Sequence, residues 1–122
     1  MSAVTLSEIA DLVAGKLKVP VAFMRGLTKG RASDAEVARW RRARNVVVVL
    51  ARRHTQVSYA TIASFFGLSP TAHRLDEAVA GADPGWISDD PELHWAVEEI
   101  EQQIDALHER RMAMRDRREV RA

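Results

Sequence analysis

The chain has no cysteine among its 122 residues. A disulfide framework and a thiolate metal site are therefore both excluded, and a reducing, cytoplasmic setting is the expectation. No apolar run approaches the ~20 residues needed to cross a bilayer. The first residues lack a basic stretch followed by an apolar one, so no secretory leader is expected. The phosphate-cradling pattern Gly-x4-Gly-Lys-Ser/Thr is absent, and GLTKGRAS is neither glycine-dense nor preceded by a strand. Internal repeats and low-complexity linkers are missing too. His54, His94 and His108 show no ligand spacing, and they read as surface or hydrogen-bonded structural residues rather than metal ligands. No nucleophile–base pair accompanies the carboxylates. The chain is expected to be no enzyme and to need no cofactor.

What is present is a single domain of ordinary composition, 47% hydrophobic. Its net charge of +1 hides a segregation of sign. Arg25 to Arg53 holds nine Lys/Arg and two acids, Leu75 to Glu109 eleven acids and no Lys or Arg, and Arg110 to Ala122 six Arg and two acids. A bland solvated surface mixes signs, so the basic block points to a polyanion. The acidic block repels such a partner. It either faces elsewhere or covers the basic region when no nucleic acid is bound.

Val57 to Val79, VSYATIASFFGLSPTAHRLDEAV, is the most informative stretch. Ile62, Ala63 and Phe66 share a helical face, and Gly67 permits the positive φ that closes a helix. Ser69 is a good N-cap and Pro70 suits the first helical position. Ala72, Leu75 and Val79 carry the inward face of a second helix. A small residue, glycine four positions on and then Leu-Ser is the pattern of a DNA-binding helix-turn-helix. An ordinary helical hairpin in a core is the plainer alternative.

Elsewhere, Ser7 is expected to cap a helix from Glu8 to about Lys18, ended by Pro20, with Val21 to Leu27 a short second turn or helix. Thr28 to Ser33 reads as a basic loop. Asp34 to His54 reads as helix despite VVVVL at 46–50, because its flanks lack turn residues and no second strand exists to pair with it. GADPG at 81–85 is a turn. Ser88, Asp89 or Asp90 then caps a final helix whose Leu93, Val97, Ile100, Ile104 and Leu107 recur at spacings of four and three. Asp89, Asp90 and Glu92 belong to that helix start through capping and the helix dipole. The expected organisation is an all-α domain of five or six helices over residues 1–109, with a basic tail at 110–122. The apolar stripe is expected to pack on the chain's own core, leaving a monomer.

Three segments, within Leu6 to Leu107, resemble the C-terminal DNA-binding domain (domain IV) of the bacterial replication initiator DnaA. They are LSEIADLVAGKLKVPVAFMRGL with the basic loop after it, RNVVVVLARRHTQVSYATIASFFG, and DDPELHWAVEEIEQQI. The family's motif residues fall here on Arg44, Thr55, Ser58, Ile62, Phe66 and Gly67. The resemblance implies a Trp repressor-like helical fold and contact of Arg44 with DNA. The family reads its origin box with Gly-Arg-Asp-His-Thr-Thr-Val after the Phe-Gly. Leu68, Ser69, Pro70, Thr71, Ala72, His73 and Arg74 align there instead, so the Asp-His-Thr-Thr element is gone. The nucleotide-binding AAA+ domain is absent as well.

The expected function is that of a small DnaA-related regulator of bacterial replication that binds duplex DNA, in the cytoplasm or at the nucleoid. Its expected DNA contacts are Lys29 and Arg31 in the loop, Arg41, Arg42 and Arg44 in the arginine cluster, and Ser69, Thr71, His73 and Arg74 at the recognition helix. Arginine pairs with phosphate by bidentate hydrogen bonds as well as charge, and Arg74 suits guanine. Trp40, among the arginines, reads as a packing anchor. Two rivals stand beside this reading. One is an adaptor that kept the fold and binds a replication regulator, such as a DnaA-inactivating AAA+ protein. The other is a phage or host transcription factor.

Overall fold

The computed structural model describes residues 4–25, 32–67 and 85–121, with side chains described to Asp116. Six helices follow in order: α1 Leu6–Leu17, α2 Val21–Met24, α3 Asp34–His54, α4 Tyr59–Phe65, α5 Gly85–Ser88 and α6 Pro91–Arg121. No strand occurs among the described residues, in agreement with the expected all-α class.

The first helix begins earlier than expected. Thr5, not Ser7, is its cap: the Thr5 hydroxyl accepts from the Glu8 N–H at 3.2 Å, and the Glu8 carboxylate accepts the Thr5 N–H at 3.2 Å. This reciprocal box satisfies two orphan donors at once, which a lone Ser7 cannot do. Starting there also buries Leu6 with Ile9, Ala10 and Val13. The helix closes at Lys18, which adopts the left-handed conformation at φ 57°. The Val19 N–H then returns to the Ala14 carbonyl at 3.1 Å. Pro20 serves as the cap residue of α2, which ends at Met24; Leu27 lies outside the described residues.

The helical reading of Asp34 to His54 holds. Ser33 caps α3 through the Glu36 N–H at 3.2 Å. Val46 through Ala51 are all buried, because α1, α2 and α6 pack around this helix. A valine in a helix costs a few tenths of a kcal/mol relative to better helix formers, up to about 0.7. Burying its side chain returns about 1.5–3 kcal/mol. Packing therefore overrides β-propensity here.

The helix and the glycine turn expected between Ser58 and Gly67 are present. The Ser58 hydroxyl accepts from the Thr61 N–H at 3.2 Å and opens α4. Ile62, Ala63 and Phe66 are buried, and Gly67 turns the chain at φ 72°. Phe65 and Phe66 meet edge to face with centroids 5.1 Å apart. The second helix, including Ser69, Pro70, Ala72, Leu75 and Val79, lies outside the described residues, and so does most of the GADPG turn.

Helix α5 is a single turn that the sequence reading treated as connection; it buries Ile87. Asp90 is the cap of α6, accepting the Leu93 N–H at 3.2 Å. Leu93, Val97, Ile100 and Ile104 are buried and Leu107 is partly buried against the same core, so the apolar stripe packs intramolecularly. No break in the helix marks the anticipated boundary at Arg110; α6 runs on to Arg121. Arg111, one turn after Leu107, reaches back to Glu8 on α1 and pairs with both of its oxygens. That contact, the largest cause, holds the Glu8 carboxyl at about 2, below its ordinary 4.5, with the Thr5 hydrogen bonds adding to it. No helix among the described residues is long and apolar enough to cross a membrane.

Candidate nucleic-acid interface

The arginines of α3 do not share one fate. A helix presents side chains in a fan of ~100° steps, so four arginines between positions 39 and 44 must point in different directions. Arg39 turns to the end of α1, donating to the Leu17 carbonyl at 3.3 Å and the Lys18 carbonyl at 3.0 Å. These are carbonyls that the helix end leaves without intrahelical partners. Arg42 reaches Asp90 at 2.7 Å, so the cap of α6 is also an anion for α3. Farther along, Arg53 meets Glu101 at 2.8 Å, with His54 at 3.4 Å from the same carboxylate. Arg52 donates to the Val57 carbonyl at 3.0 Å and lies 4.4 Å over the Tyr59 ring. Lys16 pairs with Glu99. Of the two roles open to the acidic block, covering part of the basic region is the one seen.

Arg41 and Arg44 are different. Arg41 is exposed and Arg44 half-buried, and neither has a carboxylate within salt-bridge distance among the described residues. The Nε of Arg44 is buried without a hydrogen-bond partner among them, and so is Oδ1 of its neighbour Asn45. Burial, and then repulsion from Arg41 one turn earlier, depress the pKa of the Arg44 guanidinium below its ordinary value. Arginine nevertheless stays charged in proteins. The result is a partly desolvated cation beside a second cation, with no carboxylate among the described residues to compensate it. Such a group gains more than a solvated one from an incoming phosphate, because much of its desolvation has already occurred.

Trp40 takes the anchoring role expected of it. Its ring lies 4.9 Å from that of Phe23 in α2. Arg44 is one turn on from Trp40 and shares its face of α3, so it stands on the side where α2 packs. From there α2 leads to Arg25, whose guanidinium sits 5.2 Å over the Phe65 ring. The Arg25 carbonyl lies 4.0 Å from the place a Cβ would occupy on Gly67. Two stretches of chain therefore depart from adjacent points: the basic segment after Arg25, and the segment after Gly67. Lys29 and Arg31 belong to the first and Ser69, Thr71, His73 and Arg74 to the second; all six lie outside the described residues. Arg25 itself escaped the sequence reading. Its signal was only that it closes α2 immediately before the basic loop.

The remaining motif residues have local structural work. Thr55 donates its hydroxyl to the Ala51 carbonyl at 2.6 Å and accepts the Val57 N–H at 3.2 Å, so it closes α3 and sets the turn into Ser58. Ile62 and Phe66 fill the core behind that turn. No group of three or more histidine, aspartate or glutamate side chains suited to a metal occurs among the described residues. Comparison with protein-family models, curated proteins and solved structures finds no match to this chain.

Proposed function

We propose that this chain binds duplex DNA and acts as a regulator of bacterial replication, as a relative of DnaA domain IV without enzymatic activity. The observation that carries the reading is the pair Arg41 and Arg44, which has no carboxylate within salt-bridge distance among the described residues, on a helix whose Arg42 and Arg53 are paired with acids. The closed turn at Gly67, beside Arg25, supports it as the frame of a helix-turn-helix. Contacts come from this pair, from Lys29 and Arg31, and from Ser69, Thr71, His73 and Arg74. Arg42 contributes less, because Asp90 already serves it.

Binding of this kind is phosphate-led. Each neutralised phosphate releases counterions and adds about 0.9 to the slope of log K against log salt on B-DNA. Discrimination of the DnaA box is weak, since each lost base contact removes about 1–3 kcal/mol of specificity. Fluorescence anisotropy with box and random duplexes over a salt series tests both statements. Equal, steeply salt-dependent binding to the two is expected. Strong preference for the box contradicts the specificity argument, and no binding at low salt replaces the reading with the protein-adaptor one.

A further inference from the structure

Helix α6 reverses its charge where it outruns the helices beside it. Arg42 meets Asp90 and Arg53 meets Glu101, so the two pairs advance eleven residues on each helix, and α6 runs alongside α3 in the same direction. Helix α3 ends at His54, level with about residue 102 of α6. Helix α1 runs the other way, since Lys16 pairs with Glu99 and Glu8 with Arg111. It begins at Leu6, level with about residue 113. Neither helix flanks α6 beyond that point, yet α6 continues to Arg121, about 12 Å farther. Exposure changes accordingly. Met114 stands two turns after Leu107 on the same line of the helix, but Leu107 is partly buried against the core and Met114 is 56% exposed.

The sign changes at the same place. Pro91 to Glu109 holds six acids and no Lys or Arg, whereas Arg110 to Ala122 holds six Arg and two acids. At ~100° per residue, all six arginine positions fall within an arc of about 160°, and Asp116 and Glu119 fall outside it. The four–three spacing of Leu93, Val97, Ile100, Ile104 and Leu107 continues at positions 111, 114, 118 and 121, and three of those are arginine. The side of α6 that is aliphatic within the domain is therefore cationic beyond it. Attraction of cations to a helix C-terminus acts over the last turn only, which leaves Arg110 to Arg117 unexplained. A helix end that only has to stay dissolved gains nothing from this sorting, because like charges three and four residues apart repel one another.

We propose that this arginine side of α6 is a second site for the phosphates of duplex DNA, apart from Arg41 and Arg44; the inference rests on the DNA-binding reading above. Arg110 and Arg115 are exposed, and Arg111, held by Glu8, fixes which way the side faces. Arginine pairs bidentately with phosphate, and a row of arginines along one side suits a strand of regularly spaced charges. An anionic membrane fits less well. A helix lying in that interface buries the side opposite its cations, and here that side carries Asp116 and Glu119. From Asp90, which marks the Arg42 end, to Arg115 is 25 residues of α6, about 38 Å. The two sites therefore stand near opposite ends of the domain, roughly one duplex turn apart.

Moving charge without changing its total tests the site. One variant combines Arg115→Asp with Asp116→Arg and Arg118→Glu with Glu119→Arg, which takes two arginines off the face at constant net charge. In fluorescence anisotropy with a duplex of about two turns, its affinity at low salt is expected to fall at least tenfold. The slope of log K against log salt is expected to drop by about 1.8, with circular dichroism and melting temperature unchanged. A chain ending at Met112, which keeps the Arg111–Glu8 pair, is expected to lose at least as much. Arg41→Ala with Arg44→Ala is measured beside them. Unchanged binding by the swapped chain, with loss in the Arg41 and Arg44 variant, overturns this inference and leaves the DNA reading standing. Loss in the swapped chain alone supports this site and removes the role given to Arg41 and Arg44. A wild type that binds no duplex at low salt overturns both. Swap-sensitive binding to phosphatidylserine vesicles, with swap-indifferent binding to duplex, gives the face to a membrane and also overturns the proposal.

Discussion

The two halves of α3 do opposite jobs with the same backbone. From Asp34 to Arg42 every side chain but Trp40 is exposed, whereas Val46 to Ala51 are all buried. The buried half contributes stability through apolar area; the exposed half holds ions. A second division runs inside the exposed half and just beyond it. Arg39 and Arg42 are held by the protein's own carbonyls and carboxylate, while Arg41 and Arg44 are not. The cations available to a polyanion are therefore fewer than the basic block's charge count, and their identity is set by what the acidic helix already occupies.

The largest expected effect comes from emptying the buried side. Leu50→Ala costs about 2–5 kcal/mol and Phe66→Ala about 3–5 kcal/mol, against ~5–15 kcal/mol for a domain of this kind. Chemical denaturation measures both. A loss below 1 kcal/mol at either site contradicts the assignment of these residues to the core. The opposite behaviour is expected at Arg41 and Arg44. Replacing both with alanine weakens DNA binding by tenfold or more at low salt, equivalent to at least ~1.4 kcal/mol, and leaves the melting temperature unchanged or higher. Removing a desolvated charge that no carboxylate among the described residues compensates relieves rather than creates a penalty. A double variant that melts much earlier shows that Arg44 is structural.

Much of the fold was legible because its signals are local. The period of Leu93 to Ile104, the motif serine Ser58 and the glycine at position 67 each act within a turn or two of chain. The start of α1 was legible too: Thr5-x-x-Glu8 is a capping box, but Ser7 beside it offered a competing oxygen. Helix α5 was not, since one turn has no periodicity to detect. The site was the harder part. Nothing local distinguishes Arg42 from Arg44. The difference is Asp90, which is far away in the chain and brought near only when α6 docks on α3. The same holds for Arg25, whose neighbour Gly67 is set by tertiary packing.

Asp90 joins the two comparisons. Asp90→Ala removes the cap of α6, about 1 kcal/mol, and frees Arg42. Stability falls while DNA affinity rises. If both fall together, Arg42 gains nothing by release. A smaller effect concerns acid. Glu8 is held at about 2 against an ordinary 4.5, so its contribution is complete above pH 4.5 and is lost as pH drops toward 2. Arg111→Ala therefore lowers the melting temperature at neutral pH, and the gap to the wild type closes near pH 2. A gap independent of pH in that window contradicts the pair. The smallest effect is at Lys18, whose φ of 57° suits glycine. Lys18→Gly is expected to stabilise by a few tenths of a kcal/mol, up to about 1, if the Arg39 contacts to this turn survive.

The most direct test is the salt dependence of duplex binding for three proteins: the wild type, Arg41→Ala with Arg44→Ala, and Arg39→Ala with Arg42→Ala. With about 0.9 of slope per phosphate contact, the first pair is expected to reduce the slope by about 1.8. The second pair leaves it nearly unchanged while lowering stability. Equal losses of slope from the two pairs, or none from either, would contradict the account.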